Sequence, residues 1–245
     1  MSWLPRGDYE APLTYFICDG NGGAFALRGK VCLDLYSMLL RPRPDDTRYD
    51  SLGNSTVDVL QRVIAHEYHH IFAERFYSEY PIESSDWRTT WYNKLVRRMV
   101  SEGTAMQCNP PEKFNRAIME DTATVAAWIS SLRLELAGIR NDQMDEKAAE
   151  AWMDATYFDS AMPLLRIYLK GTFQGDELDR QVSAHAVDRP SLAYTLGWWM
   201  VSRISREGTD PEAVRELVVH PMSLVQTYNA LIPPGADSLR FPERL

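Results

Sequence analysis

The chain has few cysteines, no long apolar run and no excess of positive charge. Its three cysteines are odd in number and lack C-x-x-C spacing, which argues against a disulfide framework and against a sulfur-ligated zinc site. No apolar run approaches the roughly eighteen residues of a membrane-spanning helix, and the first ten residues contain no stretch of signal-peptide length. These absences predict a soluble cytoplasmic protein with no membrane partner.

The charge balance is acidic, with 34 acidic against 26 basic residues and a net charge of −8. A general nucleic-acid binder needs a basic face for phosphates, so we expect no nucleic-acid partner. With 45% hydrophobic and 24% charged residues, the composition is that of an ordinary globular protein. The length of 245 residues is enough for a substantial core.

A dense cluster of histidine and glutamate, HEYHH at residues 66–70, holds three of the five histidines. It contains the H-E-x-x-H pattern of zinc hydrolases. Residues 56–77 lack proline and glycine and are predicted to form one helix, so His66 and His70 lie one turn apart on one face. Two imidazoles so placed can bind one tetrahedral Zn²⁺, and Glu67 can take a proton from the zinc-activated water.

The two histidines fall on a stripe of the predicted helix that should face the interior. The apolar members of this stripe are Val59, Val63 and Ala73. Burying imidazoles without partners is costly, so the alternative to a metal is a pair of core histidines bonded to carbonyls. His69 points about 100° away from His70 and is expected in an outer layer or on the surface.

A catalytic zinc site needs a third protein ligand, and the candidate is Glu102 in the SEGTA segment at residues 101–105. A predicted helix over about 88–107 places Glu102 on an otherwise apolar stripe. The other members of that stripe are Trp91, Leu95, Met99 and Met106. The alternative is a carboxylate paired with a core arginine. Gly103 weakens the helix, and a close approach to the His66 helix would explain it.

HEYHH followed some thirty residues later by SEGTA resembles the gluzincins, metallopeptidases whose third zinc ligand is a glutamate on a later helix. Within them it most resembles predicted zinc-dependent peptidases with H-E-x-H-H and E-G-x-A helices. The resemblance implies that one zinc ion is bound by His66, His70 and Glu102. It also implies Glu67 as general base and a peptide or protein substrate. Thermolysin-like members have an acidic residue where this chain has Met106, so another group must orient a histidine ligand.

Peptide hydrolysis also needs a group that stabilises the oxyanion. Tyr194 is the first candidate, because it opens a predicted helix that resembles the tyrosine- and glycine-bearing helix of the related peptidases. His185, in the preceding loop, is the second candidate. The alternative for Tyr194 is a half-buried structural tyrosine. Residues 171–190 are predicted to form a loop that could act as a lid over the cleft.

The predicted fold class is α+β, mainly α, with a small N-terminal β-sheet followed by a helical zincin-like metallopeptidase core. Residues 14–18, 19–23 and 24–36 predict a strand, a glycine-rich hairpin turn and one or two further strands, with 24–33 bordering the substrate cleft. After a loop at 41–54, helices are predicted at about 56–78, 88–107, 112–138, 144–170, 191–206, 211–218 and 221–231, and a proline-rich tail from 232.

The predicted organisation is a single catalytic domain over residues 1–245, in which 1–54 form the β-rich part and its loop and 55–245 the helical part. The predicted function is that of a zinc metallopeptidase. The alternative is a catalytically inactive gluzincin-like binding or regulatory module. Hydrolysis of a non-peptide amide or ester would use the same chemistry, and no motif specifies an oligomeric state.

Overall fold

The computed structural model describes residues 4, 14–17, 24–27, 29–34, 56–77, 82–108, 120–141, 143–153, 192–208 and 212–243. This part of the chain is mainly helical, with a small sheet near the N-terminus. The strands are β1 Thr14–Ile17, β2 Ala24–Leu27 and β3 Lys30–Asp34. The helices are α1 Thr56–Tyr77, α2 Trp87–Ala105, α3 Thr122–Arg140, α4 Glu146–Met153, α5 Leu192–Glu207, α6 Ala213–Val219 and α7 Leu224–Ala230, with 3₁₀ turns at Pro221–Ser223 and Asp237–Leu239.

The sheet has the order β1-β3-β2, with β1 parallel and β2 antiparallel to β3. The predicted hairpin at residues 19–23 is therefore wrong, because it would have paired β1 with β2. The tight turn lies instead between β2 and β3 at Gly29, whose φ of 72° is readily adopted by glycine. β3 takes the centre because Val31 and Leu33 are fully buried against Ile71 of α1. Residues 19–23 and Cys18 lie outside the described residues.

The sheet packs directly on α1, the helix that carries HEYHH. Half-buried Val63, Ile64 and Tyr68 of α1 contact the buried side chains of β3. The Tyr68 hydroxyl also forms a 2.9 Å hydrogen bond with the Thr14 hydroxyl of β1. These contacts fix the sheet beside the motif, and whether residues 24–33 border a substrate cleft stays a prediction.

The closest helix contact in the core joins α2 to α5 at two glycines. A Cβ on Gly103 would lie 2.4 Å from the Gly197 carbonyl oxygen, and one on Gly197 would lie 2.3 Å from the Met99 carbonyl oxygen. Only glycine permits backbones this close. The expectation that Gly103 serves an approach to the His66 helix is therefore wrong, since the backbone it meets belongs to α5.

The remaining helices extend this core around α2. The Trp91 indole of α2 donates a 3.0 Å hydrogen bond to the Ala149 carbonyl of α4, and Lys94 pairs with Glu150 at 2.7 Å. Asp121 caps α3 by accepting from the Thr124 backbone N–H at 2.9 Å. The buried face of α3, which joins the same core, consists of Val125, Ile129, Leu132, Leu136 and Ile139. The helix that bears SEGTA is thus held in place by several of its neighbours.

The chain end, predicted as a proline-rich tail from residue 232, is irregular and packs on the core. Phe241 is buried, and its backbone N–H and C=O pair with the Asn229 side chain at 2.8 Å each. The Tyr228 hydroxyl donates to the Leu239 carbonyl at 3.0 Å. A buried asparagine that satisfies both backbone groups holds this segment on the core.

Predicted and observed helix bounds agree closely for α1, α2, α5, α6 and α7. α3 begins at Thr122 after its N-cap Asp121, while residues 112–119 of the predicted helix lie outside the described part, and α4 is described only as far as Met153. Residues 41–54, the predicted lid at 171–190 and His185 lie outside the described part of the chain. None of the helices that the structure describes is long and apolar enough to cross a membrane. The single-domain organisation stays a prediction.

Candidate metal centre

The structure brings together the three side chains predicted as zinc ligands. His66 and His70 come from successive turns of α1, and Glu102 comes from α2. The two Nε2 atoms are 3.0 Å apart, and Glu102 Oε2 lies 3.6 Å from His66 Nε2 and 3.3 Å from His70 Nε2. The three residues form a group that could hold a metal ion.

The spacing of these atoms fits a tetrahedral zinc ion. Zn–N and Zn–O bonds of about 2.0–2.2 Å place neighbouring tetrahedral ligand atoms about 3.3–3.6 Å apart. The observed separations of 3.0, 3.3 and 3.6 Å lie within a few tenths of an ångström of that range. His66 and Glu102 are only 6% and 4% exposed. Glu102 Oε2 finds no aligned hydrogen-bond donor among the described residues, so a cation would satisfy it.

The electrostatics of the cluster favour a negatively charged Glu102. Burial alone would favour the neutral acid, but the close contacts with His66 and His70 outweigh it and hold the Glu102 pKa well below its usual range. Burial likewise acts to lower the pKa of His70, but the contact with Glu102 and its negative charge raise that pKa overall. The donor set is therefore two imidazole nitrogens and one carboxylate oxygen.

Arg98 lies at the edge of the cluster. The alternative interpretation, in which Glu102 pairs with an arginine, is therefore met in part. Arg98 Nε lies 3.7 Å from Glu102 Oε1, one helical turn earlier on α2. The Arg98 side chain is 38% exposed, so it is not a core residue. It contacts Oε1, whereas Oε2 faces the histidines. Pairing with an arginine therefore involves Oε1 of Glu102, whereas the proposed metal ligand is Oε2.

Tyr194 and Glu67 lie beside the ligand group. The Tyr194 ring is parallel to the His66 ring, at 2°, with centroids 6.3 Å apart. Burial of the phenol, then the charge of Glu102 and a hydrogen bond with it, raise the Tyr194 pKa, although 36% of the residue is open to solvent. Glu67 is buried, and its charge acts on both His70 and Tyr194. Tyr194 can therefore act only as a protonated donor near neutral pH.

A layer of hydroxyl groups on α2 holds the histidines of α1. His70 Nδ1 and Ser101 Oγ are 2.9 Å apart, and His69 Nε2 and Thr104 Oγ1 are 2.7 Å apart. The Thr104 hydroxyl donates to the Val100 carbonyl at 2.7 Å, so it accepts from an Nε2–H of His69. Burial, followed by the charges of His70 and His66, lowers the His69 pKa to about 3. His69 is thus a neutral, buried residue that lies beside the candidate ligands, and it is not on the surface.

A family model described as "Putative zinc dependent peptidase (DUF5700)" matches residues 1–232. The chain belongs to this family. No curated protein and no solved structure matches the chain. The family description names zinc, and two histidines with one glutamate are a ligand set that zinc accepts.

The hydrogen-bond partners of the His69 and His70 rings were not predicted from the sequence. Ser101 and Thr104 flank Glu102 within SEGTA, and both face α1. The available signal was chemical, because a histidine that binds metal through one nitrogen needs a partner for the other. Ser101, the hydroxyl residue directly before Glu102, was the candidate for that partner.

Proposed function

We propose that the chain is a gluzincin-type zinc peptidase in which His66, His70 and Glu102 bind one zinc ion. The observation that supports this most is the triangle of donor atoms, with sides of 3.0 to 3.6 Å. Catalytic zinc sites have three protein ligands and an open fourth position, whereas structural sites use four ligands. No fourth histidine, cysteine or carboxylate joins the group within the described ranges.

Glu67 is the proposed general base. A zinc ion bound beside it would polarise a substrate carbonyl and lower the pKa of water, so that attack proceeds near neutral pH. The Glu67 carboxylate takes a proton from the attacking water and delivers it to the leaving amine nitrogen as the C–N bond breaks. Its place next to His66, where its charge acts on His70 and Tyr194, supports this role.

Tyr194 is the proposed oxyanion donor. Its raised pKa keeps the hydroxyl protonated, and its ring lies against His66. A preorganised neutral donor aimed at a developing negative charge is the most effective kind of stabilisation in acyl transfer. About a third of the residue is exposed, which leaves the side chain accessible from solvent.

The proposed substrate is a peptide or protein in extended conformation. β2 is the outer strand of the described sheet on the side away from β1, and the sheet packs on the helix with the zinc ligands. An edge strand can pair with an extended peptide through backbone hydrogen bonds. In this proposal a peptide paired with β2 extends to the metal centre, and backbone pairing favours peptides over the smaller amides or esters.

The test measures bound zinc and peptide cleavage in the same preparations. The wild-type chain should bind one zinc ion and cleave members of a peptide library, with reversal by a chelator. Glu67→Gln should retain zinc and lose hydrolysis by about 10²–10⁴-fold. The matched control is Glu74→Gln, an exposed glutamate on the same helix, which should behave like the wild type. His66→Ala and Glu102→Ala should lose zinc.

Two results would contradict the proposal. Wild-type turnover by Glu67→Gln on a confirmed substrate would show that the base is elsewhere. Zinc binding by the wild type, with no cleavage of any peptide, would favour the catalytically inactive binding or regulatory module. Mass-spectrometric detection of new peptide ends across the library makes this measurement whatever side chains the enzyme prefers.

A further inference from the structure

The His70 ring is held at both of its nitrogens by two consecutive residues of α2. Ser101 Oγ lies 2.9 Å from Nδ1, and Glu102 Oε2 lies 3.3 Å from Nε2. A ring bound to metal through Nε2 carries its proton on Nδ1, so Nδ1–H donates to Ser101 Oγ. We propose, on the basis of the proposed function, that Ser101 is a positioning residue that orients the His70 ring for zinc by accepting from Nδ1–H.

His66 provides the contrast within the same site. Its Nδ1 is buried and has no hydrogen-bond partner among the residues that the structure describes. Its ring orientation is supported instead by the parallel contact with Tyr194. Of the two candidate histidine ligands, His70 is therefore the one whose ring is oriented by a hydrogen bond. Its side chain is also the more exposed of the two.

The Ser101 hydroxyl can also take the place of the acidic residue that orients a histidine ligand in thermolysin-like peptidases. Thermolysin-like peptidases use a carboxylate to orient a histidine. This chain has Met106 at the position, four residues after Glu102, where those peptidases have the acidic residue. Ser101, directly before Glu102 on α2, supplies the acceptor for Nδ1–H, and a neutral hydroxyl orients the ring without adding negative charge. Because Ser101 and Glu102 are adjacent on one helix, the ligand and the positioning group keep a constant spacing.

The test is zinc affinity, measured by competition with a chelator of known affinity. Ser101→Ala should bind zinc about 10–100-fold more weakly than the wild type, the usual loss on removing a partner of a metal-bound histidine. Ser101→Thr keeps a hydroxyl at the same carbon and should stay near the wild type. Ser202→Ala is the matched control, because Ser202 is a buried serine of α5 that accepts from Gln107 at 3.1 Å and touches no ligand.

Urea unfolding of the zinc-free forms separates positioning from a structural role. The inference requires zinc-free Ser101→Ala to be as stable as Ser202→Ala while its zinc affinity falls. Equal zinc affinity of Ser101→Ala and the wild type would overturn the inference and leave the ligand set intact. Equal losses in Ser101→Ala and Ser101→Thr would also overturn it, since the hydroxyl would then not matter. A wild type that binds no zinc would overturn the proposed function together with the inference.

Discussion

Replacing Gly197 by alanine should destabilise the protein, although the same change usually stabilises a helix. The new Cβ would lie 2.3 Å from the Met99 carbonyl oxygen and 3.1 Å from the Met99 carbonyl carbon. Contacts shorter than 3.0 Å essentially do not occur for real Cβ atoms. The obstructing atoms belong to the α2 backbone, so no side-chain rotation can relieve the overlap. The two helices must therefore separate.

The magnitude follows from two opposing contributions. Overpacking of a core costs about 1–3 kcal/mol, and a clash with backbone belongs at the upper end of that range. Replacing glycine by alanine inside a helix contributes about 1 kcal/mol in the other direction. We expect a net loss of about 2 kcal/mol in the free energy of unfolding. For a domain of this size, that loss lowers Tm by about 4–8 °C.

Gly138→Ala is the matched control, because Gly138 also lies in a helix. The nearest atom to its new Cβ is the Gln143 Oε1 at 3.7 Å, an ordinary van der Waals contact. This variant should be more stable than the wild type by about 0.5–1 kcal/mol. Thermal and urea unfolding followed by circular dichroism measure both variants. A Gly197→Ala protein as stable as Gly138→Ala would refute the close contact between α2 and α5.

The same substitution should also weaken zinc binding. Met99 precedes Glu102 by three residues on α2, so a shift of α2 away from Gly197 moves the carboxylate relative to His66 and His70. We expect a loss of roughly tenfold in zinc affinity, comparable to the loss of a supporting group. Gly138→Ala should bind zinc like the wild type, because it leaves α2 in place.

Three further predictions test other parts of the structure. Tyr194→Phe should keep zinc but lower kcat by about 100-fold, measured with the substrate that the wild type cleaves. Asn229→Ala should reduce the free energy of unfolding in urea by about 1–3 kcal/mol, because it leaves two backbone groups of Phe241 buried without partners. Asp121→Ala should lose the cap of α3. Hydrogen bonds from Thr124 lower the Asp121 pKa, so the stability difference from the wild type should exist above the unfolded value of 3.8 and vanish as the pH falls through the lower folded value.

The helices and the clustering of His66, His70 and Glu102 could be predicted because they rest on local rules. A segment without proline or glycine and a four-residue spacing place His66 and His70 on one face of α1. A charged residue on an apolar stripe identified Glu102, which is buried as expected. These features depend on periodicity within one helix and on the cost of burying a charge.

The errors concern contacts between segments distant in sequence. Nothing local distinguishes a hairpin at residues 19–23 from the observed turn at Gly29, since both contain glycine. The partner of Gly103 is a residue more than ninety positions later, and periodicity does not choose between two neighbouring helices. The packed chain end depends on the Asn229 side chain, which replaces the backbone pairing of a regular element. Such choices are decided by packing, which a single sequence does not display.

The placement of the candidate site depends on α2 more than on the helix that bears HEYHH. α2 supplies the candidate ligand Glu102, the hydroxyls of Ser101 and Thr104 that contact two histidines, and the Arg98 cation beside the Glu102 carboxylate. Its glycine contact with α5 also sets the distance to the helix that carries Tyr194. A single rigid crossing thus determines where the carboxylate, the histidine partners and the phenol stand relative to His66 and His70. Small changes at that crossing should therefore alter metal affinity and oxyanion stabilisation together.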